Sequence, residues 1–259
     1  MPKYTRYVPL ALLVVLLAAC SKSPLTAKQV LDSAYSEYDQ NHACWIANIE
    51  EQRYCMKLDS EQKVSTKDSE RQYILATGEA VDENGAANGG HVSQGLIGAF
   101  VVENRAGKSE IIAANLGIPE GAFGNAPLKW KLVKLGPADY WGWLNTFGDC
   151  HQGYCGGFYS VLAPYGKSVR DLSNIVANFE NSDACGDDEA TCANTSSELN
   201  SSLKIDDTKT NVKVYPLLIT VTGKDHGETL KPSTWPFIFD EQKWAYQAPA
   251  GYPLSDKDF

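Results

Sequence analysis

Three close pairs of cysteines constrain this chain more than any other feature. Cys44 and Cys55, Cys150 and Cys155, and Cys185 and Cys192 each bracket a short loop. With Cys20 set apart, these are the other six of the chain's seven cysteines; six allow 15 pairings, and an even set at such close spacing argues for disulfides. The spacing predicts Cys44–Cys55, Cys150–Cys155 and Cys185–Cys192. In an oxidising compartment each bridge should stabilise the fold by about 2–4 kcal/mol, toward the lower end because the loops are short. A metal site would need C-x₂-C spacing with histidine partners, and a c-type haem would need C-x-x-C-H. Neither pattern occurs, and Cys150-His151 has the wrong order for haem attachment. No metal or cofactor is therefore expected.

The turn signals divide the chain into many short segments. Thr26 and Gln29 form a capping box for a first helix, with Val30, Leu31, Ala34, Tyr35 and Tyr38 on one face and an end near Asn41. Residues around Cys44 and Cys55 read as hairpin arms, and 59–70 as a polar loop. Segment 73–76 reads as a strand, and Asp82-Glu83-Asn84-Gly85 as a turn. Strands are predicted over 96–103 and 110–114, followed by a glycine-rich loop over 117–127. Leu128, Trp130 and Leu132 alternate with lysines as in a half-buried strand. Segments 140–147 and 154–162 read as aromatic strands around the second disulfide loop.

Ser168 is read as the cap of a second helix, with Val169, Leu172, Ile175, Val176 and Phe179 on one face. Segment 181–202 is acidic and loop-like, and the last third is rich in strands, including 212–222 and a hairpin of 237–239 with 244–246. Two helices among many strands predict an α+β fold, mainly antiparallel β, stapled by disulfides. Strand–helix alternation is missing, which excludes a doubly wound parallel sheet.

Catalytic motifs are absent. His42, His91, His151 and His226 have no G-x-S-x-G partner. Gly166-Lys167-Ser168 matches only the end of a phosphate loop. The acidic group Asp183, Asp187, Asp188 and Glu189 lacks the order of a calcium loop and reads as a solvated face. No catalytic residue is assigned. The aromatic segment supplies the binding candidates Trp141, Trp143, Tyr154 and Tyr159. Trp141 and Trp143 share a strand face, which Tyr140 opposes. Exposed, such rings suit a sugar or a protein partner; buried, they form the core of the sheet. Burial is the reading preferred for most of them.

Leu17-Ala18-Ala19-Cys20 follows Lys3, Arg6 and a twelve-residue apolar run over 8–19. The run is too short to span a bilayer, which takes about 20 residues. This N-terminus resembles the signal peptide and lipobox of bacterial lipoproteins. The resemblance implies cleavage before Cys20, acylation of that cysteine, and, because Ser21 follows it, transport to the outer membrane. It divides the chain into a signal peptide over 1–19, a lipidated cysteine and tether over 20–25, and a single periplasmic or surface domain over 26–259. Loss of Lys3 and Arg6 from a formal charge of −9 leaves −11. A chain this acidic, without a basic stripe, repels nucleic acid.

The expected function is that of a lipid-anchored, non-enzymatic binding module for an envelope protein, held near the membrane by a five-residue tether. Two alternatives stand beside it. One is a periplasmic neutraliser, an immunity protein or inhibitor, of a toxin or hydrolase. The other is a peptidoglycan- or glycan-active hydrolase or glycan-binding protein, and hydrolysis would need a pair of carboxylates in a cleft.

Overall fold

The computed structural model describes residues 23–35, 37–173, 175–185, 192 and 194–257. Fifteen strands form one mixed, mostly antiparallel sheet. Among the described residues, helix is confined to α1 (Ala27–Ala34), a 3-10 turn over Ser182–Cys185 and residues 192, 194 and 195. The fold is therefore β, not α+β.

The first half of the chain is an antiparallel meander: β1 (Glu37–Asp39), β2 (Cys44–Ile49), β3 (Gln52–Ser65), β4 (Glu70–Val81), β5 (Gly95–Arg105) and β6 (Lys108–Glu120). Successive side chains on a strand point to opposite faces, and this meander buries both. Ile74 and Ala76 of β4, with Leu96 and Phe100 of β5, pack beneath α1. Their neighbours Tyr73, Leu75, Ile97 and Ala99 pack on the other face, against Trp130, Trp143 and Leu162 from the second half.

Helix α1 starts where its caps require. The Thr26 side chain accepts from the Gln29 backbone, and Gln29 Oε1 accepts from the Thr26 backbone. Val30 and Leu31 are fully buried, each worth about 1.5–3 kcal/mol of transfer free energy. The helix ends at Ala34, earlier than the periodicity suggested. Tyr35 is extended at φ −115°. Its ring meets Phe100 edge-on at 6.2 Å, and its hydroxyl donates to Leu116 O at 2.8 Å. Turning Tyr35 into the sheet frees the chain to pair β1 with β2.

The second half contributes β7 (Lys131–Gly136), β8 (Tyr140–His151), β9 (Tyr154–Tyr165), β10 (Ser168–Asp171), β11 (Ile175–Glu180), β12 (Glu198–Ile205), β13 (Leu217–Asp225), β14 (Glu228–Asp240) and β15 (Ala245–Gln247). Strand β9 is the branch point: β8 lies on one side, β10 and β11 on the other. The halves join where β10 runs parallel to β6, Ser168 opposite Ala114.

The expected second helix is therefore two strands, β10 and β11. Apolar residues at 169, 172, 175, 176 and 179 fit a helix, but Ile175, Ala177 and Phe179 are the deeply buried positions of β11, a spacing of two. Between the strands, Ser173 Oγ accepts from Val161 N and donates to Tyr159 O, which draws the segment onto β9. The expected loop over 59–70 is also paired, as the long β3–β4 hairpin turning at 66–69. Trp130 precedes β7 rather than lying in a strand, and residues 117–120 of the expected glycine-rich loop complete β6.

Two predicted disulfides are present: Cys44–Cys55, with Cα atoms 5.4 Å apart, and Cys150–Cys155, with Cα atoms 4.0 Å apart. Cys192 is also disulfide-bonded. The side chain of Cys185, its expected partner, lies outside the described residues, as do Cys20 and the acidic residues Asp187, Asp188 and Glu189. Among the described residues no helix is long and apolar enough to cross a membrane.

Candidate functional site

The β8–β9 hairpin builds the floor of an open cleft. Its two-residue turn is Gln152-Gly153, both left-handed at φ 50° and 85°, the conformation that matches the twist of paired strands. Cys150 stands directly opposite Cys155. Counting back along both strands sets Phe147 opposite Phe158. Their rings lie 6.0 Å apart, tilted by 40°.

Two loops build the walls. The segment after β4 and the segment after β6 are sewn together by Phe123 N donating to His91 O and Gly124 N to Ser93 O. Gly89 and Gly124 approach so closely that a Cβ on Gly89 would collide with the 123–124 backbone. This contact sets His91 and Val92 over the hairpin. The His91 ring lies 4.6 Å from that of His151 and meets Phe123 edge-on at 4.5 Å. His91 Nε2 is 3.6 Å from Asp149 Oδ2. The resulting cleft holds about 360 Å³.

Gln94, Phe147 and Phe158 also border a second hollow of about 230 Å³, so the two spaces adjoin. The inner hollow carries Glu120, Ser160, Asp171 and Ser173. Glu120, at the end of β6, is only 5% exposed. Its Oε1 accepts from Ser160 Oγ at 2.7 Å. Burial, reinforced by the charge of Asp171 and only partly offset by Ser160, pushes the Glu120 carboxyl up to about 7. Asp171 is shifted upward too, by desolvation, although hydrogen bonds from Ser173 hold its charged form. Its side chain is nonetheless exposed, so water screens much of that effect.

Of the four sequence-predicted binding residues, Tyr159 lines the inner hollow, and Trp141, Trp143 and Tyr154 line neither space. Trp143 is 1% exposed and locked edge-on against Tyr73 at 5.5 Å. Trp141 is half-buried against the same inter-half core. Tyr140 faces the opposite core, as the alternation required, and its hydroxyl donates to Pro164 O. Tyr159 is buried, with its hydroxyl 3.2 Å from Ser201 Oγ. Tyr154 alone of the four is exposed, at 40%, beside Phe179. Of the four histidines, His91 and His151 come together, while His42 pairs with Asp39 at 2.8 Å and His226 lies beside Asp225.

Glu120, Gln94 and Asp171 carry no local motif, so sequence reasoning missed them. Phe147 and Phe158 were recoverable, because the disulfide fixes the hairpin register. Two carboxyl groups, Glu120 and Asp171, line the inner hollow. Phe147, Phe158 and Tyr159 wall that hollow, and neither tryptophan lines it. Among the described residues, no three metal-ligating side chains converge.

Comparison of the chain with known protein families, with curated proteins and with solved structures found no match.

Proposed function

We propose that this protein is an outer-membrane lipoprotein, anchored through Cys20, that acts as a non-enzymatic protein-interaction module, and that the Phe147–Phe158 cleft is its contact site. The Leu17-Ala18-Ala19-Cys20 resemblance supports the anchor. The cleft's rim carries the binding reading. Val92, 91% exposed, lines an opening bordered by paired phenylalanines, and Phe123, 50% exposed, packs edge-on against His91 at its margin. Apolar side chains gathered around a concavity are the usual composition of an interface centre, where aromatic anchors supply most of the affinity.

The test is capture of an envelope partner by the detergent-solubilised protein, compared with a Val92→Asp, Phe123→Asp variant. Both substitutions are at exposed positions and leave the core intact. A specific protein lost by the variant supports the reading; equal capture by both overturns it. Mass spectrometry of the mature N-terminus checks the anchor: a triacylated Cys20 is expected, and a free thiol there removes it from the proposal.

One observation favours a second reading, glycan hydrolysis. Glu120 titrates near 7 with Asp171 lining the same hollow, and a general acid needs a proton at working pH. Release of soluble fragments from peptidoglycan by the protein, abolished in Glu120→Gln, would support it. No release from either removes it.

A further inference from the structure

Resting on the binding reading above, we propose that the cleft takes a basic side chain, the guanidinium or ammonium group of an arginine or lysine on the partner, with its stem along Phe147 and Phe158 and its head toward Glu120.

The two adjoining spaces are lined by three carboxyl groups, from Asp149, Glu120 and Asp171, and no lysine or arginine lines either of them. Asp149 accepts from Cys150 N through Oδ1, and its Oδ2 lies a long 3.6 Å from His91 Nε2. Glu120 and Asp171 have no salt-bridge partner among the described residues. Glu120 is 95% buried as a residue and borders the hollow; its Oε1 is used by Ser160, while Oε2 has no hydrogen-bond partner among the described residues and keeps access to solvent. A ligand entering the hollow displaces the water that serves this oxygen, so it must bring a donor of its own. An anionic ligand would be repelled by all three carboxyls, and an apolar one would leave Oε2 unpaired.

A long basic side chain satisfies both halves of the site. Its alkyl stem covers aromatic surface while its head reaches polar groups. The two tilted phenylalanine faces favour a cation between the opening and the carboxyls. The acidic balance of the whole chain points the same way, since a net charge of −9 draws basic partners over a distance.

The groups facing Glu120 are Ser160 from β9, Asp171 and Ser173 from β10 and its following turn, and Gln94 from the loop before β5. His91, His151 and Asp149 stand further out. A bound cation competes with the proton on Glu120, so binding weakens as pH falls through the Glu120 titration. Ionisation of Glu120 alone gives about a tenfold tighter complex at pH 8 than at pH 6.

The experiment is an NMR titration of the full protein in detergent with acetyl-Gly-Arg-Gly-amide, its citrulline counterpart and chitotriose. The arginine peptide should shift the Phe147 and Phe158 ring signals, and citrulline should not. Glu120→Gln should weaken arginine binding at least tenfold at pH 8 and abolish its pH dependence. Asp149→Asn, at a partly exposed position that the fold does not need, should weaken it about threefold, which keeps the test sound if Glu120→Gln misfolds. Equal binding of citrulline, unchanged binding by the variants, or ring shifts with chitotriose alone would overturn the proposal. If the Val92→Asp, Phe123→Asp variant loses a captured partner while no arginine peptide binds, the basic-side-chain assignment falls and the binding reading stands.

Discussion

The Ser160 hydroxyl donates a 2.7 Å hydrogen bond to Glu120 Oε1, joining β9 to the end of β6 across forty residues of sequence. One neutral donor does not replace the water that Glu120 loses, so its carboxyl titrates at about 7 rather than at the ordinary 4.5. The sign of the pH effect follows. Because the folded value is raised, the stabilisation is fully present below about 4.5 and is lost as pH rises through about 7. The loss amounts to about 3 kcal/mol. Glu120→Gln carries no such charge. It should match the parent near pH 4.5 and be the more stable protein at pH 8, as measured by urea denaturation. A parent whose stability is flat between these two pH values would contradict the burial argument.

Gly98 leaves the space that the Tyr35 hydroxyl occupies, and a Cβ there would collide with it. That hydroxyl is also the donor to Leu116 O. Gly98→Ala should therefore cost about 1–3 kcal/mol through overpacking. Tyr35→Phe should cost about 1 kcal/mol, for the hydrogen bond. The double variant should lose less than the sum, since phenylalanine lacks the colliding oxygen. Simple additivity in chemical denaturation would show that the two residues do not meet as described.

Trp143 joins the two halves of the molecule through Tyr73. Trp143→Ala should cost about 3–5 kcal/mol, as for large-to-small changes in a packed core. Trp141→Ala, at a half-buried site, should cost clearly less. Thermal unfolding of the two variants orders them, and a reversed order would place the wrong ring in the core.

The disulfides should contribute in proportion to the loops they close. Eleven residues separate Cys44 from Cys55, and five separate Cys150 from Cys155. Replacing the first pair by serine should cost about 3 kcal/mol and the second about 2 kcal/mol, by loop-closure entropy. Losing Cys150–Cys155 should also loosen the floor of the cleft, because it pins the register that opposes Phe147 to Phe158. Hydrogen exchange at Phe158 N reports that effect; unchanged protection would show the turn holds the register unaided.

Much of this architecture was legible locally. Thr26 and Gln29 marked the start of α1, and the Cys150–Cys155 spacing marked two aromatic strands around a disulfide loop, whose observed register sets Phe147 against Phe158. The alternation of Tyr140, Trp141 and Trp143 correctly divided those rings between two faces. Segment 168–179 misled because its apolar residues satisfy both periods. Only the neighbouring β9 chooses between them: Gly156 and Gly157 lie opposite Phe179 and Asn178 of β11 and leave room for close backbone pairing. Helix length misled for a related reason, since Tyr35 finds Phe100 and Leu116 far along the chain.

Capping, turn chemistry and cysteine spacing act between residues a few positions apart, so the amino-acid order alone specified α1's start, most hairpins and two of the disulfides. Which strands lie side by side, and which side chains meet in the cleft, depends on contacts between distant segments. His91, Glu120, Phe147 and Asp171 come from four separate stretches of chain, and no local pattern encodes their meeting. Their shared site exists because pairing of β6 with β10 and of β8 with β9 brings these strand ends together, and the buried environment that moves Glu120's titration arises only there.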